Sequence, residues 1–161
     1  MPKEESKLEK LKKEFSKIQS KYKLPSFNEL NEDFSIEKIE DESDFLVREV
    51  RRHIAEKFSN YLRFLEALLN PTGAPMFVFT VVKSLSNDDK KRITEIYKQL
   101  VQNEVKLLEL DIEFSEKKEV EYIKNTFKMW QEIKKQLLGV VESIKKNWDS
   151  KTEGNSKGYF G

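Results

Sequence analysis

Met76-Phe77-Val78-Phe79-Thr80-Val81-Val82 is apolar but for one hydroxyl, and it closes the longest uncharged stretch of the chain, Ala67 to Val82. Around it 37% of the residues are charged. A segment so unlike its surroundings belongs inside its own fold, inside a partner or in lipid. A membrane span needs about twenty apolar residues. This run falls well short, is interrupted at Pro71, Gly73 and Pro75, and is closed by Lys83. As a short helix near 75–85 it is apolar nearly all round, and such helices sit in a protein interior. It therefore reads as a buried plug enclosed by longer amphipathic neighbours. The competing reading is a helix exposed in the monomer and covered by a partner or a second copy. Val78, Val81 and Val82 would also suit a buried strand, but no second strand offers pairing.

Outward from that segment the periodicity is helical. Leu8, Leu11, Phe15, Ile18 and Tyr22 give a first amphipathic helix that ends before Pro25. Residues 26–42 are acidic and irregular and read as short helical turns, in which Phe27, Leu30, Phe34, Ile36 and Ile39 pin the crossover to the core. From about Ser43 a long helix runs to Leu69, carrying Val47, Val50, Ile54, Phe58, Tyr61, Leu65 and Leu68 on one face. Asn70-Pro71-Thr72-Gly73 stops it.

Beyond the apolar segment, Ser86-Asn87-Asp88-Asp89 caps a helix striped with Ile93, Ile96, Leu100, Leu107 and Phe114. Ser115 caps the last helix, striped with Ile123, Phe127, Trp130, Ile133, Leu137, Val141 and Ile144 and running to about Trp148. Each apolar face needs cover, and helix on helix supplies it. The expected fold is all-α: a bundle of four to five main helices, the last two forming a long antiparallel hairpin. Residues 1–150 read as one domain and 151–161, polar and containing glycine, as a disordered tail.

Composition removes several function classes. With no cysteine among 161 residues, disulfides, thiolate metal sites and cysteine nucleophiles are absent. The Met-Pro-Lys-Glu-Glu start offers no apolar signal region, so a cytoplasmic location is the default. Thirty basic residues against 29 acidic ones, a net charge of +1, name no partner. The charge is nonetheless uneven. Residues 1–24 carry eight Lys against four Glu, while 26–44 carry eight acids against Lys38. Abundant Lys and Glu without Cys also resembles thermophile composition. The five glycines form no P-loop and no dinucleotide fingerprint.

Helical projection places Glu104 and Asp111 inside the apolar arc of the fourth helix, and Glu119 and Lys134 inside that of the fifth. Arg51 lies at the edge of the second helix's stripe. If the last two helices meet at Phe114-Ser115, Asp111 approaches Glu119 and Tyr122, and Glu104 approaches Thr126. Buried acids need partners. The expectation is a satisfied polar layer with Arg51, Lys134, Tyr122 and Thr126 as donors.

A metal-dependent enzyme using Glu104, Asp111 and Glu119 is the third reading. Ferritin-type di-iron sites take two Glu-x-x-His pairs, and His53 is the single histidine. Glu116-x-x-Glu119 lacks the second acidic pair that magnesium-dependent all-α nucleotide pyrophosphohydrolases place on the following helix. No metal ligand set, cofactor or small-molecule substrate is therefore assigned. The nucleic-acid alternative rests on Lys117, Lys124, Lys128, Lys135 and Lys146, one side of the last helix, suited to tracking phosphates of DNA or ribosomal RNA. Glu121, Glu132 and Glu142 lie close to that strip. The sequence favours a non-catalytic helical protein acting through protein–protein contacts, with a protein partner or a second copy of itself.

Overall fold

The computed structural model describes residues 6–40 and 45–159, with side chains described as far as Trp148. These residues form α1 (Lys7–Tyr22), α2 (Phe27–Phe34), a 3-10 turn (Ile36–Lys38), α3 (Leu46–Leu69), α4 (Met76–Lys83), α5 (Asn87–Ile112) and α6 (Glu116–Tyr159). No strand occurs among the described residues, and the chain is all-α. The expected start of α3 at Ser43 lies outside them. The stretch read as a tail, 151–161, lies beyond the described side chains; its backbone continues α6 to Tyr159.

Helix ends follow local chemistry. Ser6 caps α1 by accepting from the Glu9 N–H at 3.2 Å. The helix stops where Lys23 turns left-handed (φ 56°), two residues before Pro25. At α2, Ser26 and Glu29 bond each other's backbone N–H reciprocally, at 3.2 and 2.9 Å. That capping box supplies acceptors for two N–H groups that have no partner inside the helix. It gives the acidic crossover, where short helical turns are expected, a defined two-turn helix.

The chain divides into two compact units, one of Met1–Phe58 with Val105–Trp130, the other of Ser59–Glu104 with Gln131–Gly161. In the first, α1 contributes Leu11 and Phe15, and the crossover buries Phe27, Leu30, Phe34, Ile36 and Ile39. Val50, Ile54 and Phe58 of α3 and Ile123 of α6 are each at most 1% exposed. Phe34, Phe58 and Trp130 form an aromatic triangle with centroids 5.7–6.4 Å apart. Lys57 closes it, lying 4.9 Å from the Trp130 ring centre and donating to the Asp33 carbonyl. A cation over ring faces strengthens packing that aromatic area already favours.

In the second unit Leu65, Ile93, Ile96, Leu100 and Ile133 are at most 1% exposed. The expectation of a fully buried plug fails here. Val78 and Val81 of α4 are 6% exposed, whereas Met76 is 80%, Phe77 66% and Phe79 39% exposed. The cause is geometric. Val78 and Val81, three residues apart, share one side of a two-turn helix, and that side alone is covered. Its C-terminal end is tied down by Asn147, whose side-chain amide donates to the Ser84 carbonyl at 3.0 Å.

The start of α5 is likewise anchored. Ser86 and Asp89 form a reciprocal cap at 3.0 and 3.1 Å, and the Ser143 hydroxyl of α6 donates to the same Asp89 carboxylate at 2.6 Å. Burial works to raise the Asp89 pKa, but bonds from Ser143 and Ser86 and the charge of Arg92 together hold it below the ordinary value.

Candidate functional site

Two arginines three residues apart on α3, Arg48 and Arg51, share one face of that helix. They meet Glu119, in the first turn of α6, where the positive end of the helix dipole favours an acid. Glu119 is 0% exposed. Arg51 Nη2 donates to Glu119 Oε1 at 3.1 Å and to Asp111 Oδ1 of α5 at 3.2 Å. Arg48 Nε lies 3.8 Å from Glu119 Oε1. One guanidinium thus joins acids from two helices.

The pairing is incomplete. Glu119 Oε2, Arg48 Nε and Arg51 Nε are buried without hydrogen-bond partners. An unmatched buried polar atom costs about 1–3 kcal/mol, so a built but unfinished ionic knot marks a place where a further group could be received. A cavity of about 260 Å³ adjoins it. Leu11, Ile18, Leu46 and Val47 give it aliphatic walls, and Phe45 and Phe114 meet edge to face at 5.7 Å. Its charged lining consists of Glu14, Glu40, Glu116, Glu119, Lys17 and Arg48. Arg48 also lies over the Phe114 ring at 5.4 Å.

The seven residues read as a polar layer separate into distinct environments. Arg51, Asp111 and Glu119 come together, although 59% of the Asp111 side chain is exposed. Glu104 belongs to the other unit and accepts from the Ser59 hydroxyl. Thr126 is buried but donates within its own helix, to the Tyr122 carbonyl at 2.6 Å. Tyr122 is buried in the first unit, and Lys134 is partly exposed in the second.

Among the described residues no group of three or more His, Asp or Glu side chains is placed to hold a metal ion. Arg51 occupies the space between Asp111 and Glu119 that a cation would need. On α6, Lys117 and Lys128 are exposed and Lys124 is partly exposed in the first unit, while Lys135 and Lys146 are exposed in the second. Lys135 lies 3.8 Å from Glu132. No helix among the described residues is long and apolar enough to cross a membrane.

The cavity residues Phe45 and Phe114, and the part played by Arg48, escaped sequence reasoning. Spacing did carry a signal for Arg48, because Arg48 and Arg51 stand one turn apart. Phe45 lies beside a helix end, outside any periodic stripe, while Phe114, the last residue of the expected stripe, falls beyond the end of α5 at Ile112 and lines the cavity instead. No protein-family model, no curated protein and no solved structure matches the chain.

Proposed function

We propose that this chain is a non-catalytic helical protein that works through protein–protein contacts, with the outer side of α4 as a contact surface. One observation carries the reading: Met76, Phe77 and Phe79 stand 80%, 66% and 39% exposed on the least charged segment of the chain. Adjacent large apolar side chains in water favour association, because covering them releases ordered solvent. The proposed architecture is a helical bundle in which α5 and α6 form an antiparallel hairpin. Supporting it, Lys118 pairs with Glu109 at 3.0 Å close to their connection, and Ser143 bonds Asp89 at 2.6 Å far from it. A cytoplasmic location suits a chain without cysteine.

Sedimentation of the wild type and of Phe77→Asp, combined with affinity capture, tests the function. The expected result is self-association or a stable protein partner, lost in Phe77→Asp while the variant keeps its helical circular dichroism. A monomer that captures no partner overturns the proposal.

Nucleic-acid binding through the α6 lysines ranks second. Its support is the exposure of Lys117 and Lys128, and it is weakened by Glu132 beside Lys135. Retention on a polyanion column that falls steeply with salt, and vanishes when Lys124 and Lys128 become Glu, would reverse the order.

A further inference from the structure

We propose that the cavity of the first unit binds an aliphatic ammonium group, a site separate from the α4 surface. The acceptor is Glu119. Its Oε1 already takes Arg51 at 3.1 Å, while its buried Oε2 has no donor. A carboxylate accepts only, so what completes it must donate hydrogen bonds.

Charge selects a cation among possible donors. Four carboxylates line the cavity against two bases, and the bases are engaged: Lys17 lies 3.0 Å from Glu14, and Arg48 faces Glu119 and the Phe114 ring. Glu116 is partly offset by Lys21, which leaves Glu40 as surplus negative charge at the lining. The Phe45 and Phe114 rings, packed edge to face with Arg48 over Phe114, add aromatic wall to the cavity. The aliphatic wall of Leu11, Ile18, Leu46 and Val47 then selects an alkyl chain behind the charged head. At about 260 Å³ the space lies just below the range of drug-sized pockets, which suits a short alkylamine or one lysine side chain.

The competing ligand is a carboxylate, because Arg48 Nε and Arg51 Nε are also buried without hydrogen-bond partners. Three features count against it. Arg51 does not line the cavity, Arg48 already has an acid beside it, and an added anion would meet four like charges.

Titration calorimetry and amide-resolved NMR at neutral pH, with the full chain, decide between them. The probes are n-hexylammonium, n-hexanol, n-hexanoate and a short peptide presenting one lysine between leucines. Saturable binding of the ammonium probes is expected, with shifts confined to residues around Leu46, Phe114 and Glu119. The alcohol should bind at least about tenfold more weakly, the difference a buried charge pair readily supplies.

Stronger binding of the peptide assigns the cation to a protein partner's lysine, and stronger binding of hexylammonium assigns it to a free amine; either upholds the site. Leu46→Trp fills the cavity without touching the ion pairs and should abolish binding while the chain stays folded. Glu119→Gln should weaken it about tenfold or more, and Glu116→Gln about two- to threefold. Hexanoate binding as tightly as hexylammonium, no saturable binding of either ammonium probe, or binding unchanged in Leu46→Trp would each overturn the assignment. None of these outcomes depends on self-association through α4, so the two proposals stand or fall separately.

Discussion

In α4, the least charged helix of the chain, Phe77 is 66% exposed; in the charged helix α6, Glu119 is 0% exposed. Residue polarity alone would place them the other way round. Phe77 lies on the uncovered side of a two-turn helix, where its exposure costs hydrophobic free energy but breaks no bond. Glu119 is enclosed because Arg51 and Arg48 come with it from α3. The comparison teaches that burial is granted by neighbours. An apolar residue stays outside when its side of the helix lacks cover, and a charge goes inside when its counter-ion is built into the next helix.

The largest effect should come from removing that counter-ion. Arg51→Met leaves Glu119 buried with its main partner gone and should cost about 3–5 kcal/mol in urea unfolding. Replacing the pair together, Arg51→Met with Glu119→Leu, should recover most of that loss, since apolar substitutes for a buried ion pair are often neutral or stabilising. A double variant as unstable as Arg51→Met alone would mean that the knot is held by something other than the pair.

Within α4 itself, Val78→Asp and Phe77→Asp set the same new charge one residue apart. Val78→Asp should lower stability by several kcal/mol, about 3 or more, because the carboxylate is buried without a partner. Phe77→Asp should stay within about 0.5 kcal/mol of wild type, as surface substitutions do. Equal losses in both would restore the plug and erase the contrast between α4 and α6.

Asp89 sharpens the comparison at smaller scale, as a buried acid supported by hydroxyls and backbone rather than by an arginine pair. Its pKa is lowered in the folded chain, so its contribution is present above the ordinary aspartate pKa and fades as pH falls through the lowered value. Ser143→Ala should cost about 1 kcal/mol at neutral pH. The difference from wild type should shrink under acid, measured as melting curves across the acidic range; a difference that grows as pH falls would refute this account.

The smallest effect is expected at Lys118, paired with Glu109 at 3.0 Å in the open. Bonding to Glu109 raises its pKa, so whatever it adds is present at neutral pH and lost only as pH rises through that raised value. Lys118→Ala should leave the neutral-pH melting temperature unchanged within error, because water screens an exposed pair.

Much of the fold was legible because its signals are local. Ser26 with Glu29, Ser86 with Asp89, and Pro25 mark helix ends by backbone chemistry that acts within a few residues. The stripe through Ile93, Ile96 and Leu100 identified the buried face of α5 because side chains three and four apart share a side. Projection also placed Asp111 and Glu119 near a turn, so their approach could be read from spacing. It could not show that Arg51 would reach both, since that depends on how α3 packs beside them.

By itself, the sequence determined that the chain is helical, where most helices begin and end, and which residues are apolar enough to form a core. These follow from hydrogen bonds and periodicities that span at most a few turns. Only the tertiary structure decided which apolar side chains found cover, leaving Phe77 out, and which charge could go in, enclosing Glu119. It alone assembled the cavity lined by Leu11, Leu46 and Phe114, residues far apart along the chain. The physical reason is that burial and ion pairing depend on which surfaces meet, and a one-dimensional pattern fixes each surface without fixing its partner.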